Sequence, residues 1–174
     1  LELHIRLIPN GTMSLWIKNS LKNDDCISIK GPFGHCSYSA TNNEQPLLLM
    51  GTGTGLAPLY GILKDAMLQK HRGPIVLFHG GKTPSSLYLT EELRELSKEK
   101  PQFQYRPCVL SEGTNDIIEI PMDHYVINNI PWLKSARIYL CGDPSFVTSM
   151  RKKLFIAGAS SKEIYADAFL PSIR

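Results

Sequence analysis

Two short stretches hold residues whose types and spacing suit ligand chemistry. Gly51-Thr52-Gly53-Thr54-Gly55 follows an apolar run and opens a helical pattern. Glycines let a backbone turn tightly and approach a ligand, and the N–H groups at a helix start favour a phosphate. The pattern is G-x-G-x-G. Leu56 stands where the dinucleotide fingerprint G-x-G-x-x-G has its third glycine, and the lysine of a P-loop is missing. The second stretch is Tyr139-Leu140-Cys141-Gly142-Asp143-Pro144. Gly142 permits close approach and Pro144 suits the first turn of a helix. Cys141 is either a thiol facing a ligand crevice or a small buried residue. No Ser-His-acid or metal-ligand set stands at a strand end, which argues against hydrolase chemistry, and His79 is read as a strand-end residue.

These turns need strands that end beside them. Leu47-Leu48-Leu49-Met50 is continuously apolar, as in a parallel strand covered on both faces. Leu56, Leu59, Tyr60, Leu63 and Met67 recur at helical spacing up to His71-Arg72-Gly73-Pro74. Ile75 to Phe78 reads as a second strand, Thr90 to Lys98 as a second helix and Phe103 to Leu110 as a third strand. Residues 111–135 are less regular, with breaks at Pro121, Asn128, Asn129 and Pro131. Ile138 to Cys141 is a fourth strand, Pro144 to about Ala157 a helix and Ile164 to Ala166 a last short strand. This alternation predicts an α/β domain over residues 46–174, a doubly wound five-stranded parallel sheet with ligands at the strands' carboxyl ends.

Residues 1–41 read differently. Leu1, Leu3, Ile5 and Leu7 alternate with polar residues, the period of a half-buried strand. Pro9-Asn10-Gly11 is a turn, Ser14 to Asn19 a helical turn and Cys26 to Lys30 a short strand. Gly31-Pro32-Phe33-Gly34 cannot continue a ladder. Ser37, Ser39, Thr41, Asn42 and Asn43 give residues 35–45 the composition of a linker.

The totals set limits. Nineteen Lys and Arg against sixteen Asp and Glu leave +3, too small an excess for a nucleic-acid partner. Arg151-Lys152-Lys153 reads as a solvated helix face. No apolar stretch approaches the roughly 18 residues of a membrane span. Leu1 to Ile8 alternates and lacks the apolar block of a signal peptide. Cys26, Cys36, Cys108 and Cys141 form no C-x-x-C pair, so local spacing supports neither zinc nor an iron–sulfur cluster, and a reducing cytoplasm is expected.

Five ordered motifs together resemble the ferredoxin–NADP reductase family, in its oxygenase-type flavin and iron–sulfur form. Gly51 to Pro58 and Cys141 to Pro144 are similar to its two nicotinamide-domain signatures. Leu77 to Pro84, with Leu87-Tyr88 and Glu91-Glu92-Leu93, resembles its second strand, loop and helix. Gly31 to Gly34 resembles the motif that closes the flavin barrel, and Gly11-Thr12-Met13-Ser14 the segment that binds the FAD pyrophosphate.

The resemblance implies roles. Gly51, Thr52, Gly53, Thr54 and Gly55 would hold the nucleotide diphosphate, with Gly142, Asp143 and Pro144 beside them. Cys141 would lie against the nicotinamide ring near the carbon that yields hydride. Gly80-Gly81-Lys82 and Ser111-Glu112 would contact the adenosine ribose. Asp167-Ala168-Phe169 resembles the carboxylate-and-aromatic pair at the flavin–nicotinamide junction, against a plain reading as a solvated tail. Glu112 stands where NADP-specific relatives carry arginine, so NADH is expected over NADPH, with Lys82 as the counter-argument. The flavin-gripping arginine-x-tyrosine-serine motif and plant-type iron–sulfur cysteines are missing. Residues 1–41 are therefore expected to be the remnant of an incomplete antiparallel FAD-binding barrel, with any iron–sulfur cluster on an upstream domain. Open barrel strands would invite homodimers. The implied activity is hydride transfer from NAD(P)H to FAD, then electron transfer to an iron–sulfur or haem partner. The alternative is a nucleotide-binding regulatory or interaction module without flavin chemistry.

Overall fold

Continuous apolar runs become the interior of the sheet. The computed structural model describes residues 1–31, 33–39, 42–119 and 121–170. The chain divides into two compact units, Leu1–Gly34 and His35–Arg174. In the larger unit, strands β1 (Leu47–Thr52), β2 (Ile75–Gly81), β3 (Phe103–Val109), β4 (Arg137–Gly142) and β5 (Ile164–Ala168) form one sheet ordered β3-β2-β1-β4-β5. Every neighbouring pair is parallel.

Alternate strand residues face opposite layers. Leu47, Leu49, Ile75, Leu77 and Tyr139 pack under helices α2 (Leu56–Leu68) and α3 (Thr90–Glu99). Leu48, Met50, Val76, Phe78 and Leu140 pack under α4 (Met122–Asn129) and α5 (Pro144–Ile156). The central strands are covered on both sides, which is why their sequences carry no polar alternation. The expected doubly wound five-stranded sheet is the fold of this unit.

Helix α4 lies in the stretch read as irregular. Only Met122 and Val126 of this helix are buried, so it shows little helical periodicity. Asn128 and Asn129, read as breaks, donate from their side chains to the carbonyls of His124 and Tyr125, both at 2.8 Å, and so close the helix rather than interrupt it.

Residues 35–39 are not a free linker. Tyr38 is buried against the α2 layer, and its hydroxyl lies 3.1 Å from Nδ1 of His71. Tyr139 donates its hydroxyl to the Ser37 carbonyl at 3.2 Å. Ala40 and Thr41 lie outside the described residues.

In the smaller unit, α1 (Thr12–Asn19) is the helix over the expected Ser14 to Asn19 turn. The antiparallel strands expected at Leu1 to Ile8 and Cys26 to Lys30 are corrected: no ladder forms among this unit's described residues. Alternation marks a backbone able to pair, but a strand exists only against a hydrogen-bonded partner. Without one, Leu3, Ile5, Leu7 and Ile27 stand exposed. Pro32 of the Gly31–Gly34 motif lies outside the described residues.

Candidate functional site

The two glycine turns meet where the strand order reverses. β1 and β4 are neighbours, with Gly51 opposite Cys141, and each runs at its carboxyl end into a helix. The turn after β1 is a single 3-10 turn, Gly53–Gly55, and no side chain caps the start of α2. The turn after β4 is capped by Asp143, whose carboxylate accepts from the backbone N–H of Ser145 at 2.9 Å and of Phe146 at 3.2 Å. The Ser145 hydroxyl also donates to it, and these bonds hold the carboxyl below its usual range.

The turns interlock through residues that tolerate no side chain. A β-carbon on Gly55 would lie 2.3 Å from the Cys141 carbonyl oxygen. Gly142 has φ +119°, and a β-carbon there would meet the Thr52 carbonyl oxygen at 2.5 Å. Asp143 N–H donates to Oγ1 of Thr52 at 3.1 Å and ties the two loops together. Gly53 is left-handed at φ +55° and has open space beside it.

Cys141 is fully buried at the end of β4, and its Sγ lies 3.4 Å from Sγ of Cys36. The two thiols share a hydrogen bond, and that contact together with burial pushes Cys141 up. The expected neighbours Asp167 and Phe169 are held by main chain rather than left as a tail. Asp167 pairs with Cys141 across β4 and β5, and Phe169 N–H donates to the Gly142 carbonyl at 2.8 Å. Both side chains are exposed.

The ends of β2 and β3 are also joined. The Lys82 carbonyl accepts from Leu110 N–H at 3.1 Å and Ser111 N–H at 3.2 Å, which sets Ser111 and Glu112 beside Lys82. Glu112 takes a left-handed φ of +62°, and the side chains of Lys82 and Glu112 are exposed.

His79 is more than a strand-end residue. It is fully buried opposite Gly51, with Nδ1 3.2 Å from the Tyr105 hydroxyl and its ring edge-on to Tyr88. Burial pushes its imidazole down to about 4, so it stays neutral under the glycine turn. The sequence marked His79 only as a strand-end residue and Cys36 only as one of four cysteines without a C-x-x-C partner. A buried histidine after an apolar run was a weak signal for one, and no local spacing links Cys36 to Cys141.

Gly11, Thr12, Met13 and Ser14 belong to the other unit. α1 opens after Gly11 with no side-chain cap. Ser14 is buried: its Oγ accepts from Ile8 N–H at 3.2 Å and donates to the Gly11 carbonyl. A diphosphate would therefore be met here by main chain, because the Ser14 hydroxyl is turned inward.

Two interlocked glycine turns at the switch point of a parallel sheet define a dinucleotide-binding α/β domain. Residues 49–152 match the oxidoreductase NAD-binding domain family, and the chain belongs to that family. Residues 1–38 match the oxidoreductase FAD-binding domain. The chain is 31% identical over 172 residues to the ferredoxin–NAD(P)(+) reductase component of the naphthalene 1,2-dioxygenase system of Pseudomonas putida, spanning 98% of this chain and 52% of the relative. It is 30% identical over 177 residues to the aromatic O-demethylase reductase subunit of an Amycolatopsis species, covering 99% and 52%. The Amycolatopsis cytochrome P450 reductase GcoB superposes with a TM-score of 0.87 at 28% identity, over 97% of this chain and 52% of that one. A ferredoxin NADP+ reductase of Neisseria gonorrhoeae shares the fold at a TM-score of 0.75 and 21% identity, over 93% and 71%. The chain thus spans about half the length of the curated relatives it matches.

Proposed function

We propose that this chain is the nicotinamide-nucleotide-binding part of an FAD-dependent NAD(P)H reductase. The observation that carries the reading is the clasp of Gly55 and Gly142 around the β1–β4 switch point, with Cys141 at its base. Gly51 to Gly55 offer backbone to a diphosphate at the start of α2. Gly142, Asp143 and Pro144 form the opposite wall. Cys141 marks the nicotinamide end, with Asp167 and Phe169 alongside, and Lys82, Ser111 and Glu112 mark the adenosine end. The FAD-matching residues include Gly11 to Ser14, and flavin supplies the step from hydride to single electrons.

On this reading Leu1–Gly34 are part of a flavin domain and the nucleotide domain starts at His35, earlier than the bounds of 41 and 46 read from composition. Electrons go on to an iron–sulfur or haem acceptor, in keeping with the reductase names of the relatives. No helix among the described residues is long and apolar enough to cross a membrane. We place the reductase in the cytoplasm, and propose self-association through the open Leu1 to Ile8 segment, whose Leu3, Ile5 and Leu7 side chains are exposed.

Calorimetric titration with NADH tests the nucleotide site, and heat-silent NADH at millimolar concentration would defeat it. Flavin absorbance of the purified chain tests the rest. We expect FAD to be held weakly, since Ser14 is engaged internally. NADH binding in a protein that never supports flavin reduction would favour a regulatory nucleotide-binding module instead. Sedimentation at two concentrations tests self-association, and a strict monomer ends that part of the proposal.

A further inference from the structure

We propose that Cys36 and Cys141 are an oxidation site, joined reversibly as a disulfide by peroxide-class oxidants. They lie 105 residues apart in sequence yet 3.4 Å apart at sulfur, within one unit. Rigid chain fixes both. Cys141 is locked in β4 between Gly51 and Asp167. Cys36 packs against the α2 layer and is followed by the anchored Ser37 and Tyr38. A disulfide needs about 2.05 Å between sulfurs, so the two must close by little more than an ångström.

The two sulfurs are unequal, which sets the order of steps. Cys36 is partly exposed, and the hydrogen bond with Cys141 holds its thiol below the usual range. The thiolate is the nucleophile. Cys36 sulfur attacks one oxygen of hydrogen peroxide, the O–O bond breaks, and the leaving hydroxide takes the Cys36 proton as water. Cys36 is then a sulfenic acid. Cys141 sulfur attacks it, the S–S bond forms, the S–O bond breaks, and the second water leaves with the Cys141 proton. The two thiols lose two electrons to one peroxide, which becomes two waters. Cys108 is excluded from this chemistry by its place: it packs in the opposite layer of the sheet from Cys36 and Cys141, with its thiol donating to the Arg106 carbonyl.

The functional consequence rests on the reading of Cys141 as the nicotinamide-side residue. Cross-linking removes its thiol from that position and pins the segment after Gly34 to the base of the site. Oxidation would then switch hydride transfer off, and a dithiol would restore it.

Peptide mapping of the chain before and after hydrogen peroxide treatment decides the matter. The expected result is a mass lower by two hydrogens, a peptide pair joined at Cys36 and Cys141, and reversal by dithiothreitol. Cys108→Ser should still cross-link and Cys36→Ser should not, while the wild-type map stands by itself should a variant misfold. Oxygen added to Cys36 without a cross-link, or a bridge through Cys26, would overturn the proposal. Hydride transfer in the FAD-loaded protein is the separate check on the site: an unchanged rate after cross-linking refutes the placement of Cys141, not the disulfide.

Discussion

Gly55 approaches Cys141 so closely that a β-carbon on the glycine would sit 2.3 Å from the cysteine carbonyl oxygen. The contact is backbone on backbone, so neither side can rotate away. Gly55→Ala should therefore destabilise the domain by about 1–3 kcal/mol and weaken NADH binding, since the clash forces the two turns apart. Gly61, exposed in α2 with nothing within 4 Å of its missing β-carbon, is the counterpart. Gly61→Ala should stabilise by about 0.5–1 kcal/mol. Urea unfolding of both variants checks the opposite signs; two equal shifts would refute the clasp.

His79 gives the domain a pH dependence. Its imidazole is pushed from 6.5 down to about 4 by burial, so between these values the unfolded chain binds a proton that the folded one does not. Stability contributed by neutral His79 is present above pH 6.5 and is lost as pH falls toward 4, by about 3 kcal/mol. His71, also lowered by burial, adds a loss of the same sign. Unfolding midpoints at pH 7.5 and 4.5 should diverge less in His79→Gln than in the wild type. Equal divergence would move the effect to other groups.

Asp143 should matter to α5 before it matters to any ligand. Replacing it with alanine removes the acceptor for Ser145 and Phe146 N–H and should cost about 1 kcal/mol. Asp143→Asn keeps an oxygen there and should lose much less. Its carboxyl lies below the usual range, so its contribution is present at neutral pH and fades as pH falls through that lowered value. Thermal melts of the two variants should differ clearly at pH 7.

Cys141→Ala should leave adenosine-side affinity nearly intact and slow hydride transfer in the FAD-loaded protein, because only the nicotinamide's placement is disturbed. Stopped-flow flavin reduction reads the rate directly. A rate equal to wild type would return Cys141 to a packing role.

NADH should bind more tightly than NADPH. Glu112 is an exposed anion beside Lys82, joined to it through the Lys82 carbonyl and Ser111. Repulsion of a 2′-phosphate in this solvated setting need leave only about 1.4 kcal/mol to give a tenfold preference. Lys82 opposes it, but a flexible ammonium clamps phosphate less well than a guanidinium fork. Glu112→Arg should gain NADPH affinity. Equal binding of both nucleotides by the wild type would refute the preference.

Parts of this architecture were plain in the sequence for a physical reason. A strand covered on both faces must be apolar throughout, and Leu47 to Met50 and Ile75 to Phe78 announce themselves that way. The two glycine turns were legible because close backbone approach leaves no other residue type. Helix α4 was hidden because two buried side chains make too short a stripe. Leu1 to Ile8 showed a strand's alternation, yet its pairing depends on partners that alternation cannot specify. The meeting of Cys36 and Cys141 comes from the crossover topology, which no local pattern encodes.

The anchoring of residues 35–39 changes where the nucleotide domain can be cut free. A boundary placed by composition at Pro46 would strip Tyr139 of its acceptor at Ser37 and His71 of its Tyr38 partner. Arg137, buried at the start of β4, would lose the Ser39 carbonyl and hydroxyl. Orphaned buried polar groups of this kind cost about 1–3 kcal/mol each, enough together to exhaust the margin of an ordinary domain. The excision that keeps the molecule whole begins at His35, and a protease offered the native chain should find its first cut on the amino-terminal side of that residue.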